Sequence, residues 1–202
     1  MRSGKINGYA GKFESSFLSC EKDLELIIKK LFIDSKPYSD ILKRLLLINT
    51  PDCLDDMTNQ EYIKKIKETS IADLVNQEYI KFSPKIHFGE NEEVKSYLVI
   101  SFDNFVPNAT NPEFRDCVIM IDVLCHTDYW DLGNYRQRPI KIMGYIDGIL
   151  NGSKLSGIGK LEFMGANELV LSENLSGYCL VYSAIHGSED MENLADKFNS
   201  LV

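Results

Sequence analysis

The residues with the clearest potential for chemistry form two groups, one typical of nucleases and one of metal sites. Glu93-Val94-Lys95 has the Glu-x-Lys form that metal-dependent nucleases combine with an upstream aspartate, for which Asp73 is available. Glu93 falls at a predicted turn and Asp73 in no predicted strand, whereas the chemistry needs both acids to meet at one metal ion. The triplet therefore supports a metal-dependent nuclease only as an alternative hypothesis.

The second group surrounds His126, which has further metal-ligating residue types close to it in the chain: Asp122, Cys125, Asp128 and Asp131. Neighbouring side chains of a strand point to opposite faces, so Cys125 and His126 do not converge on one ion, although Asp122 and His126 share a face. We expect His126 to be an ordinary polar residue at a strand end. No catalytic, cofactor-binding or metal-binding residue is assigned, and we expect no enzyme activity and no cofactor.

The cysteines and a glycine-rich run exclude two further kinds of site. The five cysteines are widely spaced, without a CxxC pair, which argues against zinc ribbons and thioredoxin-like motifs. Three of them lie in apolar strand-like runs, where a thiol behaves as a small hydrophobic group: Cys117, Cys125 and Cys179. The run 152–160 does not fit a phosphate-binding loop, because Lys154 stands where that motif requires glycine.

A charged and aromatic segment is the strongest candidate for an interface. It combines an acidic aromatic loop with a basic start to the following helix, and its residues are Asp128, Tyr129, Trp130, Asp131, Arg136, Arg138 and Lys141. Cations at a helix N-terminus oppose the helix dipole, which hints at an acidic partner surface. The two parts could form a head-to-tail contact between copies, while a solvated helix start and a buried Trp130 are the plainer alternatives.

Composition limits the class of protein. The chain has 202 residues and 44% hydrophobic residues, and its 22 basic and 30 acidic side chains give a net charge of −8. Such a chain can bury a core without disulfides, and its acidity argues against nonspecific nucleic-acid binding over the whole surface. The longest apolar runs are far shorter than the roughly 20 residues of a membrane span. No secretory signal is evident in residues 1–13, so we expect no membrane association.

The N-terminal part has helical periodicity. Residues 1–14 predict a loosely held arm, and the following apolar residues fall at helical steps: Phe17, Leu24, Ile27, Ile28 and Leu31. A second helix is predicted over Tyr38–Leu47, between Pro37 and Pro51. The segment 52–76 is polar, with possible helical turns at 60–67 and 70–75, and is interpreted as an insertion or linker.

The rest of the chain changes to strand periodicity. A hairpin could form from segments 78–86 and 94–102. A loop is predicted over 104–112. The strongest strand is Arg115–His126, which is apolar on both faces. A helix over 135–150 follows. Three strand-like pieces come next, separated at 165–167 and 173–174, and a final helix begins after 187–190.

This order predicts an α+β fold: a mainly antiparallel or mixed β-sheet with a long helix packed on it, plus N-terminal helices. The organisation predicted from it is an N-terminal arm and helical segment with a polar insertion over 1–76, and an α+β core domain over 77–202.

The C-terminal half carries a resemblance, from about residue 86 to 202. Its parts, in order, are the apolar strand 117–126, Tyr135-Arg136-Gln137-Arg138-Pro139, the helix end 146–152, the run 157–163 and the strand 177–182. This succession resembles the tail-terminator and head-to-tail joining proteins of tailed bacteriophages, and the related ring proteins of phage necks. The N-terminal helices and residues 52–76 exceed the family pattern.

The resemblance implies a structural subunit rather than an enzyme. It implies a closed ring, hexameric or dodecameric, between the portal or its adaptor and the tail, with DNA passing through the centre without sequence-specific binding. The protein would be part of the virion and be assembled in the host cytoplasm. Segments 104–112 and 128–133 are candidate interface elements of that ring. A ligand-binding α+β adaptor is a third hypothesis, alongside the nuclease.

Overall fold

A computed structural model describes residues 16–82, 95–109, 115–156 and 158–186 of the chain. Several sequence-based predictions fall outside these residues. They are the N-terminal arm, residues 83–86 of the predicted hairpin, Glu93 of the nuclease triplet, residues 110–112 of the predicted loop and the final helix.

The helices lie close to where periodicity predicts them. Helix α1 continues into a π-helical turn, Lys30–Asp34, and the Lys36–Pro37 peptide bond before α2 is cis. The short helices of the polar segment form with side-chain caps from Asn59 and Ser70, which satisfy the first free N–H groups. The five helices of the described residues are α1 (Ser16–Lys29), α2 (Tyr38–Leu47), α3 (Gln60–Glu68), α4 (Ile71–Asn76) and α5 (Arg138–Leu150).

The strands form one five-stranded sheet and one small two-stranded ribbon, which confirms the α+β class. The sheet has the order β1-β2-β3-β7-β6, and all its pairs are antiparallel except the pair of β1 with β2. Its strands are β1 (Ile80–Lys81), β2 (Ser96–Pro107), β3 (Arg115–His126), β6 (Glu162–Val170) and β7 (Leu175–His186), and the ribbon is β4 (Lys154–Leu155) with β5 (Gly159–Lys160).

Three details of the sheet correct the predictions. The expected hairpin of 78–86 with 94–102 is wrong where the structure describes it, because Ile80 and Lys81 run parallel to Leu98 and Val99. The predicted loop at 104–112 is wrong over 104–107, which belongs to β2. The predicted break at 165–167 lies inside one continuous strand, β6, as an irregularity between Phe163 and Gly165.

The two faces of strand β3 differ in burial, although both are apolar in the sequence. Cys117, Ile119, Ile121 and Val123 are buried under the helices, in the main hydrophobic core. The alternate residues of 118–122 are only half-buried. None of the described helices contributes a residue to the small cluster at the far end of this second face, which contains Tyr97, Val99, Leu124 and Leu175.

One hydrophobic cluster joins the N-terminal helices to the sheet. Leu31, Leu45, Ile121, Ile146 and Tyr182 are all members and all buried. At roughly 25 cal/mol per Å², burial of such large side chains is the main driving force for this packing. The division of the chain into 1–76 and 77–202 stays a prediction.

Candidate functional site

The region around the predicted interface segment is a tightly closed loop, which we call the Tyr135 loop (131–137). It follows β3 and a 3-10 turn over Thr127–Tyr129, and it is closed by a β-bridge between Asp131 and Gln137. Gly133, Asn134 and Tyr135 have φ of 72°, 51° and 62°. Left-handed backbone suits glycine and is tolerated by asparagine, but it is strained for a bulky aromatic residue.

Hydrogen bonds within the loop hold this conformation. Leu132 N–H donates to Arg136 O at 2.9 Å, and Arg136 N–H donates to Gly133 O at 3.0 Å. The Arg136 side chain adds three contacts: Nε to Gly133 O at 3.1 Å, Nη2 to Leu132 O at 2.8 Å and Nη2 to Asp55 Oδ1 at 2.6 Å. Arg136 therefore fixes the loop to residues that precede α3.

Arg138 is not a surface cation, which corrects its assignment as an interface residue. Its side chain is fully buried, and its guanidinium donates four hydrogen bonds to main-chain carbonyl oxygens. Nε donates to Tyr129 O at 2.8 Å, Nη1 to Leu45 O at 2.6 Å and to Ile48 O at 2.9 Å, and Nη2 to Thr50 O at 2.8 Å. Arg138 thus caps the free carbonyl groups at and after the C-terminus of α2.

The other predicted interface residues are divided between structural contacts and the surface. Trp130 is half-buried, with Nε1 donating to Cys125 O at 3.1 Å and its ring 6.4 Å from that of Tyr178. Asp131 is exposed and accepts from Gly133 N–H at 2.7 Å. Asp128 is exposed, while Tyr129 and Lys141 are half-buried. The acidic loop and the basic helix start therefore meet within one chain, and their role between copies stays a prediction.

Tyr135 is a surface residue that the sequence did not single out, because the helix was predicted to begin there. Helix α5 begins three residues later, at Arg138. The Tyr135 side chain is fully exposed, at 104% of the reference area. The dipeptide Gly133-Asn134 is the signal that could have indicated a tight turn before it. The structure therefore presents an aromatic side chain at the tip of a firmly held loop.

A second apolar surface lies at the start of β6, which we call the β6 patch (163–164). Phe163 is 41% exposed and packs edge-on against Tyr182, with ring centroids 5.7 Å apart. Met164 is 63% exposed and lies at the strand irregularity, opposite no residue of β7. Strand β6 pairs with β7 and with no other strand that the structure describes. A strand edge of this kind is a common surface for contact with another chain.

The half-buried face of the sheet holds one titratable pair. Asp122 of β3 lies opposite Cys179 of β7 in the register. Burial raises the pKa of Asp122, against the smaller opposing effect of a hydrogen bond with Cys179. Burial also raises the pKa of the Cys179 thiol to about 12, helped by the same hydrogen bond. The thiol remains protonated at neutral pH and can donate to the carboxylate.

The nuclease residues that the structure describes have structural roles. Asp73 completes a capping box with Ser70, accepting from Ser70 N–H at 2.8 Å and Ser70 Oγ at 2.6 Å. Lys95 is buried, and its Nζ donates to Gln77 O at 2.9 Å and lies 5.4 Å from the ring centre of Tyr97. Both groups are therefore already engaged within the fold.

The structure gives the His126 group no ion-binding geometry in the described part of the chain. His126 Nδ1 accepts from Asp128 N–H at 3.3 Å, so this nitrogen is used in capping the 3-10 turn. Among residues 16–82, 95–109, 115–156 and 158–186, no group of three His, Cys, Asp or Glu side chains could hold a metal ion.

The predicted character of the strand cysteines is confirmed. Cys117, Cys125 and Cys179 are buried, and burial raises the pKa of the first two to about 12 and about 11. Thiols with such pKa values are neutral and unreactive at physiological pH.

Comparison with known proteins gives one family and one structural similarity. The family model described as YomW matches residues 39–184, which cover helices α2 to α5 and nearly all of the sheet. No curated protein matches the chain. Among solved structures, a chain of the "Virion of native gene transfer agent (GTA) particle" is similar with 12% identity and a TM-score of 0.37, over 62% of this chain and 91% of that one. Within the described helices, none is long and apolar enough to cross a membrane.

Proposed function

This chain belongs to the YomW family, and we propose that it is a structural subunit of a phage virion. The family name is phage-associated. We propose further that copies of the subunit form a closed ring of six or twelve at the neck or tail, where it joins the head to the tail. Its partners there are other copies of itself, the portal or its adaptor, and tail proteins.

The observation that carries the proposal is the order of elements in the C-terminal half. The resemblance to phage joining proteins rests on an apolar strand, an arginine-containing segment, a helix and two further strands. The structure has β3, the Tyr135 loop, α5, β6 and β7 in that order, and the family match includes almost all of them. These elements form one sheet with a helix on it, which is a rigid unit suited to tiling.

The mechanism of such a subunit is mechanical. Adjacent copies bury surface against each other and thereby seal the joint and hold a channel open for DNA. The net charge of −8 favours passage, since negative walls repel phosphate and do not retain the DNA. The subunit needs no catalytic group for this role.

The copy number in purified particles tests the proposal. Quantitative mass spectrometry of virions against an isotope-labelled standard should give six or twelve copies per particle, with the portal protein as an internal reference. A particle that lacks the chain, or holds it in variable trace amounts, would refute a structural role. A constant number other than six or twelve would retain the virion role and refute the ring.

A further inference from the structure

We propose that the N-terminal segment 1–15 of the chain binds along the outer face of the sheet, over Val118, Met120 and Asp122 of β3. The outer face is the one opposite the helices. This contact lies within one chain, so it does not rest on the proposed ring. It gives the segment that the sequence predicts to be a loosely held arm a binding surface of matching charge and apolar character.

The register shows that the outer face is one continuous surface. Val118, Met120 and Asp122 alternate along β3, so their side chains point to the same side of the sheet. Their neighbours on β2 and β7, in the same order, are Asp103 and Ser183, Ser101 and Val181, and Val99 and Cys179. Val118, Met120 and Val181 are half-buried, and neither of the two hydrophobic clusters includes them. The described residues therefore leave these adjacent apolar side chains partly uncovered.

Carboxyl groups surround this apolar surface. Asp103, Asp116 and Asp122 all lie on the outer face, and their hydrogen-bond partners within the described chain are neutral groups. None of the ion pairs among the described residues includes them. Lys81 is on the same face but towards its other end, where its Nζ lies 2.9 Å from Glu78 Oε2. An occupant of the surface near the start of β3 should therefore be cationic as well as partly apolar.

Charge distinguishes segment 1–15 from the other segments outside the described residues. It has one acidic residue, Glu14, and three basic ones, Arg2, Lys5 and Lys12. It also has large apolar residues interspersed among them: Ile6, Tyr9 and Phe13. The other three segments have more acidic than basic residues, and they are 83–94, 110–114 and 187–202. Segment 1–15 is therefore the one whose charge complements the outer face.

The start of α1 brings segment 1–15 to the correct end of the sheet. Burial, and to a smaller extent the nearby Cys20 and Asp23 of α1, raises the pKa of Cys117 to about 12. The first two turns of α1 thus lie near the beginning of β3, on its inner face. Asp116 is next to Cys117 and faces the other way, so the chain before α1 has only to pass round the end of the sheet to reach it.

The length of the segment is sufficient for this path. Fifteen extended residues span up to about 50 Å. About 15–20 Å takes the chain round the end of the sheet, and about 20 Å more takes it along β3 from Asp116 to Asp122. Lys5 and Lys12 are about 23 Å apart in an extended chain, which matches the separation of those two carboxyl groups. The segment can therefore place a cation near each end of the apolar surface.

Zero-length cross-linking with a water-soluble carbodiimide tests the contact in the full chain at low ionic strength. Mass spectrometry of the fraction that migrates as a single chain should find amide links from an arm lysine to a carboxyl group of the outer face: Lys5 or Lys12 to Asp103, Asp116 or Asp122. At 0.5 M salt the yield should fall at least threefold, because the attraction is screened. The exposed pair Lys64 and Glu68, 3.9 Å apart, is the control for the reaction itself.

Oxidation of Met120 by hydrogen peroxide tests whether the segment covers the apolar surface. Met164, which is 63% exposed, is the internal reference in the same digest. Substituting Lys5→Gln and Lys12→Gln together should raise the oxidation rate of Met120 at least threefold relative to Met164. The matched control, Lys64→Gln with Lys67→Gln, removes the same charge from exposed positions of α3 and should leave that ratio unchanged.

Four results would overturn the proposal. The first is a Lys64–Glu68 link without any link from the arm to the outer face. The second is an unchanged oxidation rate of Met120 in the arm variant, because the segment would then not cover the surface. The third is a set of links from Lys197, which would identify 187–202 as the occupant. The fourth is arm links confined to cross-linked dimers of mixed ¹⁴N and ¹⁵N chains, which would assign the surface to the arm of a second copy.

Discussion

Replacing Arg138 with methionine should strongly destabilise the fold. Methionine has a similar length and fills much of the same space, but it has no hydrogen-bond donor. The change leaves four main-chain carbonyl oxygens without the donor that the guanidinium provides, those of Tyr129, Leu45, Ile48 and Thr50. Three of these carbonyl groups lie at or after the C-terminus of α2, so the packing of α2 on α5 depends on them.

The magnitude follows from the number and burial of these bonds. An unsatisfied buried carbonyl group costs about 1–3 kcal/mol, so four could cost over 4 kcal/mol together. The variant no longer carries the free-energy cost of removing a charged guanidinium from water, and this offsets part of that loss. We therefore expect the free energy of unfolding to fall by about 3–5 kcal/mol.

Urea unfolding followed by the fluorescence of Trp130 is the appropriate assay. Trp130 is the single tryptophan of the chain, and its carbonyl oxygen accepts from Arg138 N–H at 2.7 Å. At a slope of about 3 kcal/mol per molar urea, the midpoint should fall by about 1–1.7 M. Lys141→Met, one turn further along α5, is the matched control and should change stability by less than about 0.5 kcal/mol.

Arg138→Lys separates charge from geometry. A lysine ammonium group keeps the positive charge but has one nitrogen, which does not reproduce the planar fork that reaches four carbonyl oxygens. We expect it to recover less than half of the lost stability. An Arg138→Met protein within about 1 kcal/mol of the wild type would refute the claim that this side chain holds α2 to α5.

Four further variants test other features of the geometry. A Cβ added at Gly177 would lie 1.8 Å from Val123 O, so Gly177→Ala should lower the unfolding free energy by about 3 kcal/mol or prevent folding. Gly148→Ala meets no atom within 4 Å and should raise stability by up to about 1 kcal/mol, and equal urea midpoints for these two variants would contradict the packing. Tyr135→Gly should relieve the left-handed strain and raise the melting temperature by about 2–4 °C, while an unchanged or lower value would show that the backbone there is not strained. Burial raises the pKa of Asp122 in the folded chain, so this carboxyl group ionises at a lower pH in the unfolded chain than in the folded one. The free energy of unfolding therefore falls as the pH rises from the unfolded-state pKa towards the folded-state pKa. Asp122→Asn does not ionise, so its stability relative to the wild type should increase as the pH rises above about 4, the ordinary pKa of aspartate, and parallel pH profiles in urea unfolding would disprove this.

Elements whose boundaries have local chemical causes were predictable from the sequence. Prolines on either side and helical periodicity place α2 at Tyr38–Leu47, where the structure has it. The apolar run of Arg115–His126 gives β3 with the same bounds. In both cases the pattern lies within the element itself, so no knowledge of distant contacts is needed.

The sheet irregularities could not be predicted in the same way, because their residues favour both loops and bulges. Asn104 has a φ of 54° and lies where the register of β2 with β3 shifts, so its tolerance of left-handed backbone bends a strand instead of ending it. In β6 the register with β7 shifts between Phe163 and Gly165, and the strand continues past the shift in the same way. Only pairing with a neighbouring strand, which is non-local, decides between the two outcomes.

The use of segment 128–141 as an interface stays a prediction, and the contacts of its side chains within the chain could not be predicted from the sequence. The charged and aromatic segment at 128–141 does contain the exposed loop, yet Arg138 is buried because its acceptors lie 88 to 93 residues earlier in the chain. The sequence around Arg138 gives no indication of acceptors so far away in the chain. Arg44 is a similar case, since it is buried and donates to the carbonyl oxygens of Cys53 and Asp56.

The distance along the chain between Arg138 and α2 also has a consequence during synthesis. A ribosome adds about 5–20 residues per second, so Leu45 is made roughly 5–20 seconds before the guanidinium that will bind its carbonyl oxygen. During that interval the end of α2 must hydrogen-bond to water, and its apolar face has no sheet to cover it. A chaperone that shields nascent chains should therefore engage this helix before β3 and α5 emerge.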